Sequence, residues 1–347
     1  MNKMIKAGIP ALAGALILTG LTGCAAAGNS SNTGSETTAA QTEASEKKDK
    51  IKIVTTIFPE YDWVKNILGE KADAAEVTLL CSNGTDMHSY QPSVEDIVKI
   101  SESDVFIYGG GESEEWAVAA LSNLTDKDII KVNLIDELGS AAKKEELAEG
   151  MQEEHEEHGG EDHEHEGDAG YDEHVWLSLK NASVLTDSIA EALCEADSDN
   201  ADIYRKNAQE YKASLNDLDA KYTTATQNAT VKTLLFADRF PFRYMTDDYG
   251  LQYFAAFPGC SAETEASFET IAFLAEKTDE LSLKHVMTIE GGDDSIAKTV
   301  ISNTKEKNQD ILEMNSIQSV TNEAIESGIS YLGIMEENLQ VLEKALN

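Results

Sequence analysis

Eight short apolar, β-rich runs, set four and four around one long amphipathic stretch, constrain the fold of this 347-residue chain more than any other feature. The first four are Ile51–Ile57, Glu76–Leu80, Asp104–Tyr108 and Ile129–Leu134. The second four are Lys232–Ala237, Gln252–Phe257, Lys284–Glu290 and Asp310–Met314. Helical patterns separate the runs, and short strands alternating with helices form parallel sheets covered on both faces. In the gap, Tyr204, Ala208, Tyr211, Leu215, Leu218 and Tyr222 recur at spacings of four and three, one stripe of a helix. That spacing predicts a helix from Asn200 to Thr226, roughly 40 Å long. It reads as a stiff rod between two halves or as a long surface helix, and periodicity does not separate the two. The expected fold is α/β: two lobes, each with a four-stranded mainly parallel sheet flanked by helices, joined by one long helix.

The amino terminus reads as an address. Lys3 and Lys6 precede an apolar stretch, Ala7 to Leu21, too short for a comfortable membrane span, and Leu21-Thr22-Gly23-Cys24 follows. This order predicts a lipoprotein signal peptide over 1–23, with Cys24 the lipidated first residue of the mature chain. Residues 24–50 lack large apolar side chains and read as a flexible tether. The remaining expectations are an N-terminal α/β lobe over 51–199, the linking helix over 200–229 and a C-terminal α/β lobe over 230–347. Cleavage before Cys24 removes two of the 27 basic residues and none of the 64 acidic ones, taking the formal charge from −37 to −39. So acidic a chain excludes nucleic acid and electrostatic binding to anionic lipid.

In open α/β sheets ligands bind beyond the carboxyl ends of the strands, so the residues after each run carry the chemistry. After the second run, Gly84 permits a turn, Ser93 and Asp96 form a capping box, and His88 lies between them. A second histidine, His174, sits in Asp172-Glu173-His174-Val175-Trp176-Leu177, where neighbouring carboxylates can fix its tautomer. Between Glu145 and Asp168 lie twelve acidic residues and four of the seven histidines: His155, His158, His163 and His165. A His- and acid-rich loop at 145–168 attracts zinc, nickel or copper as an auxiliary site. The second half offers Asp238, Arg239, Glu263, Glu265 and Glu290 at strand ends. Cys81 and Cys260 each follow a strand and are candidates for soft metal ligands or for a mutual bridge. Cys194 falls in a helical pattern and reads as a core residue. Gly109-Gly110-Gly111 is followed by Glu112, Glu114 and Glu115, which would repel phosphate, so a phosphate loop is rejected. A zinc hydrolase reading also fails, because no His-Glu-x-x-His motif is present.

Taken together, Gly84-Thr85-Asp86-Met87-His88-Ser89-Tyr90-Gln91-Pro92-Ser93, Asp172 to Leu177, the His/acid loop, the helix from Tyr204 to Tyr222 and the ending Tyr331 to Leu339 are informative. From Ile51 onward the chain resembles the zinc/manganese-type substrate-binding lipoproteins of bacterial ABC importers. The resemblance implies a monomeric, non-enzymatic protein, exported and lipid-anchored through Cys24 to the outer face of the bacterial cytoplasmic membrane. Its role would be to capture Zn2+, with Mn2+ the less favoured ion, and to deliver it to a permease driven by its ATPase. It also implies that His88 and His174 bind the metal between the lobes. The family's third ligand position is occupied here by Arg239, which cannot ligate a cation, and the fourth region carries Asn315. A carboxylate from the second lobe is then expected to complete the site, with Glu290 the leading candidate and Asp238 the other. The alternatives are a manganese-binding member of the family, or a surface adhesin or zinc buffer with a degenerate cleft.

Overall fold

Both sheets form where the apolar runs place them. The computed structural model describes residues 50–124, 128–152, 170–261 and 265–347. In the first half, strands β1 (Ile51–Thr55), β2 (Ala75–Leu79), β3 (Val105–Tyr108) and β4 (Ile130–Asn133) pair in the order β2-β1-β3-β4. In the second, β5 (Thr233–Phe240), β6 (Gln252–Pro258), β7 (His285–Ile289) and β8 (Asp310–Met314) pair as β6-β5-β7-β8. Every pairing is parallel, and the two halves share one winding. Ile53 and Val54, Val105 to Ile107, and Leu234 to Ala237 are all buried, as two-sided coverage requires.

Helices α1 (Phe58–Leu68), α2 (Val94–Glu102), α3 (Glu115–Ser122), α4 (Leu134–Leu138) and α5 (Leu179–Ala196) belong to the first half. α6 (Ala201–Asn228) links the halves, and α7 (Arg243–Tyr249), α8 (Phe268–Glu280), α9 (Ser295–Asn303), α10 (Asn322–Glu326) and α11 (Tyr331–Ala345) follow. The expected capping box starts α2: Ser93 Oγ accepts the Asp96 N–H, and Asp96 accepts the Ser93 N–H at 2.9 Å. The described residues form one compact unit.

The stripe of α6 is buried at all six expected positions. Its polar tips choose the neighbours. Asn207 donates to the Ile67 carbonyl at the end of α1 (3.0 Å), and the Tyr222 hydroxyl donates to the Met335 carbonyl of α11 (2.7 Å). The long helix is therefore packed against both halves, not lying free on the surface. Trp63 of α1 meets the Tyr331 ring edge-on at 5.3 Å, and the Tyr331 hydroxyl donates to the Trp176 carbonyl at 2.5 Å. Trp176 Nε1–H in turn donates to the Ser316 carbonyl (2.9 Å). These three aromatic residues are fully buried, so one apolar core runs continuously through both halves. Each such ring removed from water is worth about 2–3 kcal/mol, which makes wide separation of the halves costly.

Strand β5 runs to Phe240, three residues beyond the apolar run, with a register shift between Phe236 and Arg239. Asp238 and Arg239 thus lie within an irregular strand end rather than in a loop.

Candidate metal centre

The carboxyl ends of the two sheets bring His88, His174 and Cys260 together. Among the described residues, one nitrogen of each ring and Cys260 Sγ all lie within 4.8 Å of one another. Zn–N bonds of 2.0–2.1 Å at a tetrahedral angle place two ligating nitrogens about 3.3 Å apart. The observed Nε2···Nε2 separation of His88 and His174 is 3.1 Å.

His88 reaches this point on a single 3-10 turn, Met87–Ser89. Asp86 caps the turn by accepting the His88 N–H through Oδ1 (3.0 Å), and Met87 beside it is buried. The His88 Nδ1 atom lies 2.7 Å from Ser113 Oγ and 3.6 Å from Glu173 Oε2. Ser113 is itself held by its N–H, which donates to Glu173 Oε1 at 2.7 Å. His174 is fully buried. Its Nδ1 and its backbone N–H both approach Asp172 Oδ1 at 2.9 Å. Asp172 is anchored in turn, its carbonyl accepting the Tyr244 hydroxyl (3.0 Å) and its N–H donating to the Lys143 carbonyl (2.8 Å). Both Nε2 atoms are left facing one point while the other ring nitrogens are fixed from behind, the arrangement that orients imidazoles toward a metal.

Gly259 brings the third side chain in. A Cβ there would lie 2.8 Å from His174 Cε1 and 3.0 Å from the Phe240 carbonyl, so only glycine lets the backbone press against the imidazole and deliver Cys260. Gly111, at φ +84°, similarly makes room for the Glu173 carboxylate. The neighbouring Gly110 N–H donates to Glu114 (2.9 Å), so an internal carboxylate occupies the glycine turn.

Burial foremost, and then the charge of His174, push the His88 pKa down to about 3. Burial also opposes the charged form of His174, but the hydrogen bond to Asp172 and the charges of Asp172, Glu173 and Glu145 outweigh it and raise that pKa. Protonation is thus disfavoured at His88 and favoured at His174, whose Nε2 atoms lie 3.1 Å apart. A cleft of about 480 Å³ opens beside the rings, lined in part by Glu112, Glu145, Tyr171, Glu173 and Cys260. Its carboxylates favour a dication.

The carboxylates expected to complete the site are not in this cluster. Glu290 accepts the Ser316 N–H (2.7 Å) and hydroxyl (2.6 Å), tying the loops after β7 and β8 together. Asp238 accepts the N–H groups of Arg239 (2.8 Å) and Ile289 (3.2 Å) within its own sheet. Both are taken up by backbone donors that would otherwise go unpaired at strand ends. Asn315 caps the turn before Ile317 (2.8 Å). Arg239 pairs with Asp86 at 2.7 Å, a tie between the second half and the turn carrying His88. The mutual bridge is also absent: Cys81 and Cys260 are free thiols, as is Cys194. Ser113 and Glu145 were not singled out by sequence, because neither has a motif and both act through residues distant along the chain. Cys24 and the loop histidines His155, His158, His163 and His165 lie outside the described residues.

A family profile described as zinc-uptake complex component A, periplasmic, matches residues 53–345. The high-affinity zinc uptake system protein ZnuA of Bacillus subtilis is 32% identical over 322 residues, covering 93% of each chain. The zinc-binding protein AdcA of Streptococcus pyogenes serotype M6 is 29% identical over 297 residues. That match takes in 84% of this chain but 55% of AdcA, so the chain spans about half the length of that relative. Among solved structures, the Zn(II)-bound ZnuA-like domain of Streptococcus pneumoniae AdcA superposes with a TM-score of 0.65 at 27% identity, covering 86% of this chain and 99% of the domain.

Proposed function

The chain belongs to the family of zinc-uptake complex A components, and on that premise we propose that it captures Zn2+ outside the cytoplasm and delivers it to the permease of an ABC importer. The observation that carries this reading is the facing pair of imidazoles, 3.1 Å apart and each held from behind. His88 and His174 are the ligands proposed first. The proteins it resembles are named for zinc binding and zinc uptake, and one solved relative holds Zn(II).

Capture proceeds by exchange of protons for metal. The ion enters along the acidic cleft, takes the Nε2 lone pairs of His88 and His174, and competes with protons for them. Asp172 and Ser113 hold the rings in place. The ion then lies between the halves, flanked by the Asp86–Arg239 pair and by the Gly84 N–H, which donates to the Val320 carbonyl (3.1 Å). The shared core limits the halves to small displacements, so release on the permease proceeds through the strand-end loops that carry the ligands.

No helix among the described residues is long and apolar enough to cross a membrane. Attachment to the outer face of the cytoplasmic membrane through lipidated Cys24 is the matching localisation, and a related AdcA of Streptococcus pneumoniae is named a lipoprotein. The role is transport rather than catalysis. Titration of the purified chain with Zn2+ against a competing chelator tests the reading. The expected result is one tight site that His88→Ala/His174→Ala abolishes; a double variant that keeps that site at parental affinity would falsify the assignment.

A further inference from the structure

We propose that Cys260 is a direct, thiolate ligand of the captured ion, so that the centre is a two-histidine, one-cysteine site with its fourth position open to the cleft. This inference rests on the capture of metal by His88 and His174 and adds to it the residue that completes the protein's ligand set.

Two observations carry it. The first is placement: Cys260 Sγ lies within 4.8 Å of one ring nitrogen of each histidine. Zn–S bonds of about 2.3 Å set a tetrahedral S···N distance of about 3.6 Å, so closing onto an ion asks the Cys260 loop to move by no more than about an ångström. That loop is built for the approach, since Gly259 leaves its backbone against the His174 ring where any Cβ would collide. The second is that the two carboxylates expected from the second half, and Asp86 beside His88, are already committed. Glu290 is bonded twice to Ser316, Asp238 holds two strand-end N–H groups, and Asp86 is paired with Arg239. Arg239 has no lone pair to give. Cys260 makes no disulfide.

The cleft supplies the remainder. Glu173 is nine-tenths buried or more, and its Oε2 has no hydrogen-bond partner among the described residues. It lines the same cleft as Cys260, Glu112 and Glu145. An unpaired carboxylate oxygen beside three converging donors is costly unless a cation arrives. On binding, the Cys260 S–H bond breaks, the sulfur lone pair forms the metal–sulfur bond, and the proton leaves to solvent through the cleft. No oxidation state changes. Thiolate ligation selects zinc over manganese, which prefers oxygen donors. The open fourth position admits a transient outside ligand, by which the ion is handed on.

Cobalt(II) is the direct probe. Added alone to the full chain, Co2+ should give a near-ultraviolet sulfur-to-cobalt charge-transfer band that Cys260→Ser removes while Cys81→Ser and Cys194→Ser leave it. Zinc affinity of Cys260→Ser, measured against a chelator, should fall by more than about 100-fold, beyond the 10–100-fold typical of residues one step removed from a metal. Absence of the band from the parent, or persistence of the band in Cys260→Ser, overturns the proposal without reference to how that variant folds. Parental zinc affinity in Cys260→Ser, with loss in His88→Ala/His174→Ala, overturns the thiolate ligand and leaves zinc capture standing. Parental affinity in both variants removes both.

Discussion

Replacing Asp172 separates its charge from its geometry. Asp172 Oδ1 receives both the His174 ring Nδ1–H and the His174 backbone N–H at 2.9 Å, in a site where the imidazole is fully buried. A hydrogen bond to a charged group contributes about 1.5–3 kcal/mol and a neutral one about 0.5–1.5 kcal/mol. Asp172→Asn keeps an acceptor and loses the charge, a difference of about 1–1.5 kcal/mol. At 1.4 kcal/mol per decade, this weakens zinc binding by about tenfold. Asp172→Ala loses the acceptor as well and should weaken it by about a hundredfold. Chelator competition at pH 8 measures both. The pH profile supplies a second signature. Asp172 helps to raise the His174 pKa, so in the parent a proton competes with zinc as pH falls through that raised value. Without the carboxylate the proton is held less tightly and competes less. The ratio of parental to variant affinity must therefore shrink as pH falls. Affinity of Asp172→Ala within twofold of the parent at pH 8, or a ratio that grows toward acid pH, would refute the tethered-imidazole account.

Three further outcomes follow from the same geometry. Gly259→Ala forces a methyl group against His174 Cε1 and the Phe240 carbonyl, so it should cost about 1–3 kcal/mol in thermal unfolding and weaken zinc binding together with stability; a variant with parental Tm and affinity counts against the close approach. Burial above all, together with Glu173, lifts the Glu114 pKa to about 7. A carboxyl raised in the folded state stabilises below the unfolded value near 4.5 and loses that contribution as pH rises to about 7, so Glu114→Gln should raise Tm at pH 8 and leave it unchanged at pH 4; equal shifts at both pH values would contradict this. In equimolar competition Zn2+ should displace Mn2+ from the chain, and comparable occupancy by elemental analysis would argue for an oxygen-rich site instead.

Much of this was legible in residue order. Period and composition located the eight strands of the described residues, most clearly the central ones, whose burial on both faces leaves a continuous apolar run, and the α6 stripe named the residues that are buried. His88 stood out on an ordered loop beyond a strand end, and His174 in a polar cluster just before a helical pattern. The proposed third donor was harder to read. Glu290, Asp238 and Cys260 all follow strands, and one-dimensional information does not reveal which carboxylate a strand-end N–H will claim. Glu290 is claimed by Ser316, 26 positions away, whereas Cys260 faces His174 across 86 positions. That contact depends on Gly259 lying flat against a ring. Extension of β5 through Asp238 and Arg239 was equally hidden, since its charged end breaks the apolar pattern that marks a strand.

The buried acids bear on why the metal and the fold are coupled. Glu60 and Glu114 are both buried, and burial first, then Glu114's charge, raises the Glu60 pKa well above its ordinary value. Glu114 also feels Glu173, which lies beside the histidines. A line of weakly compensated carboxyl groups thus leads from the first-half core to the cleft, destabilising the metal-free protein near neutral pH. A dication bound by His88 and His174, with Glu173 behind the His88 ring, offsets part of that cost. The folded state should accordingly be stabilised by zinc beyond what the ligands alone provide, in proportion to RT ln(1 + [Zn2+]/Kd). Replacing Glu173 with Gln relieves the unpaired charge in the free protein but withdraws it from the metal. It should therefore raise the Tm of the zinc-free chain while narrowing the gain in Tm that zinc produces. A merely structural role for Glu173 predicts a lower Tm in both states, so the two accounts move the zinc-free protein in opposite directions.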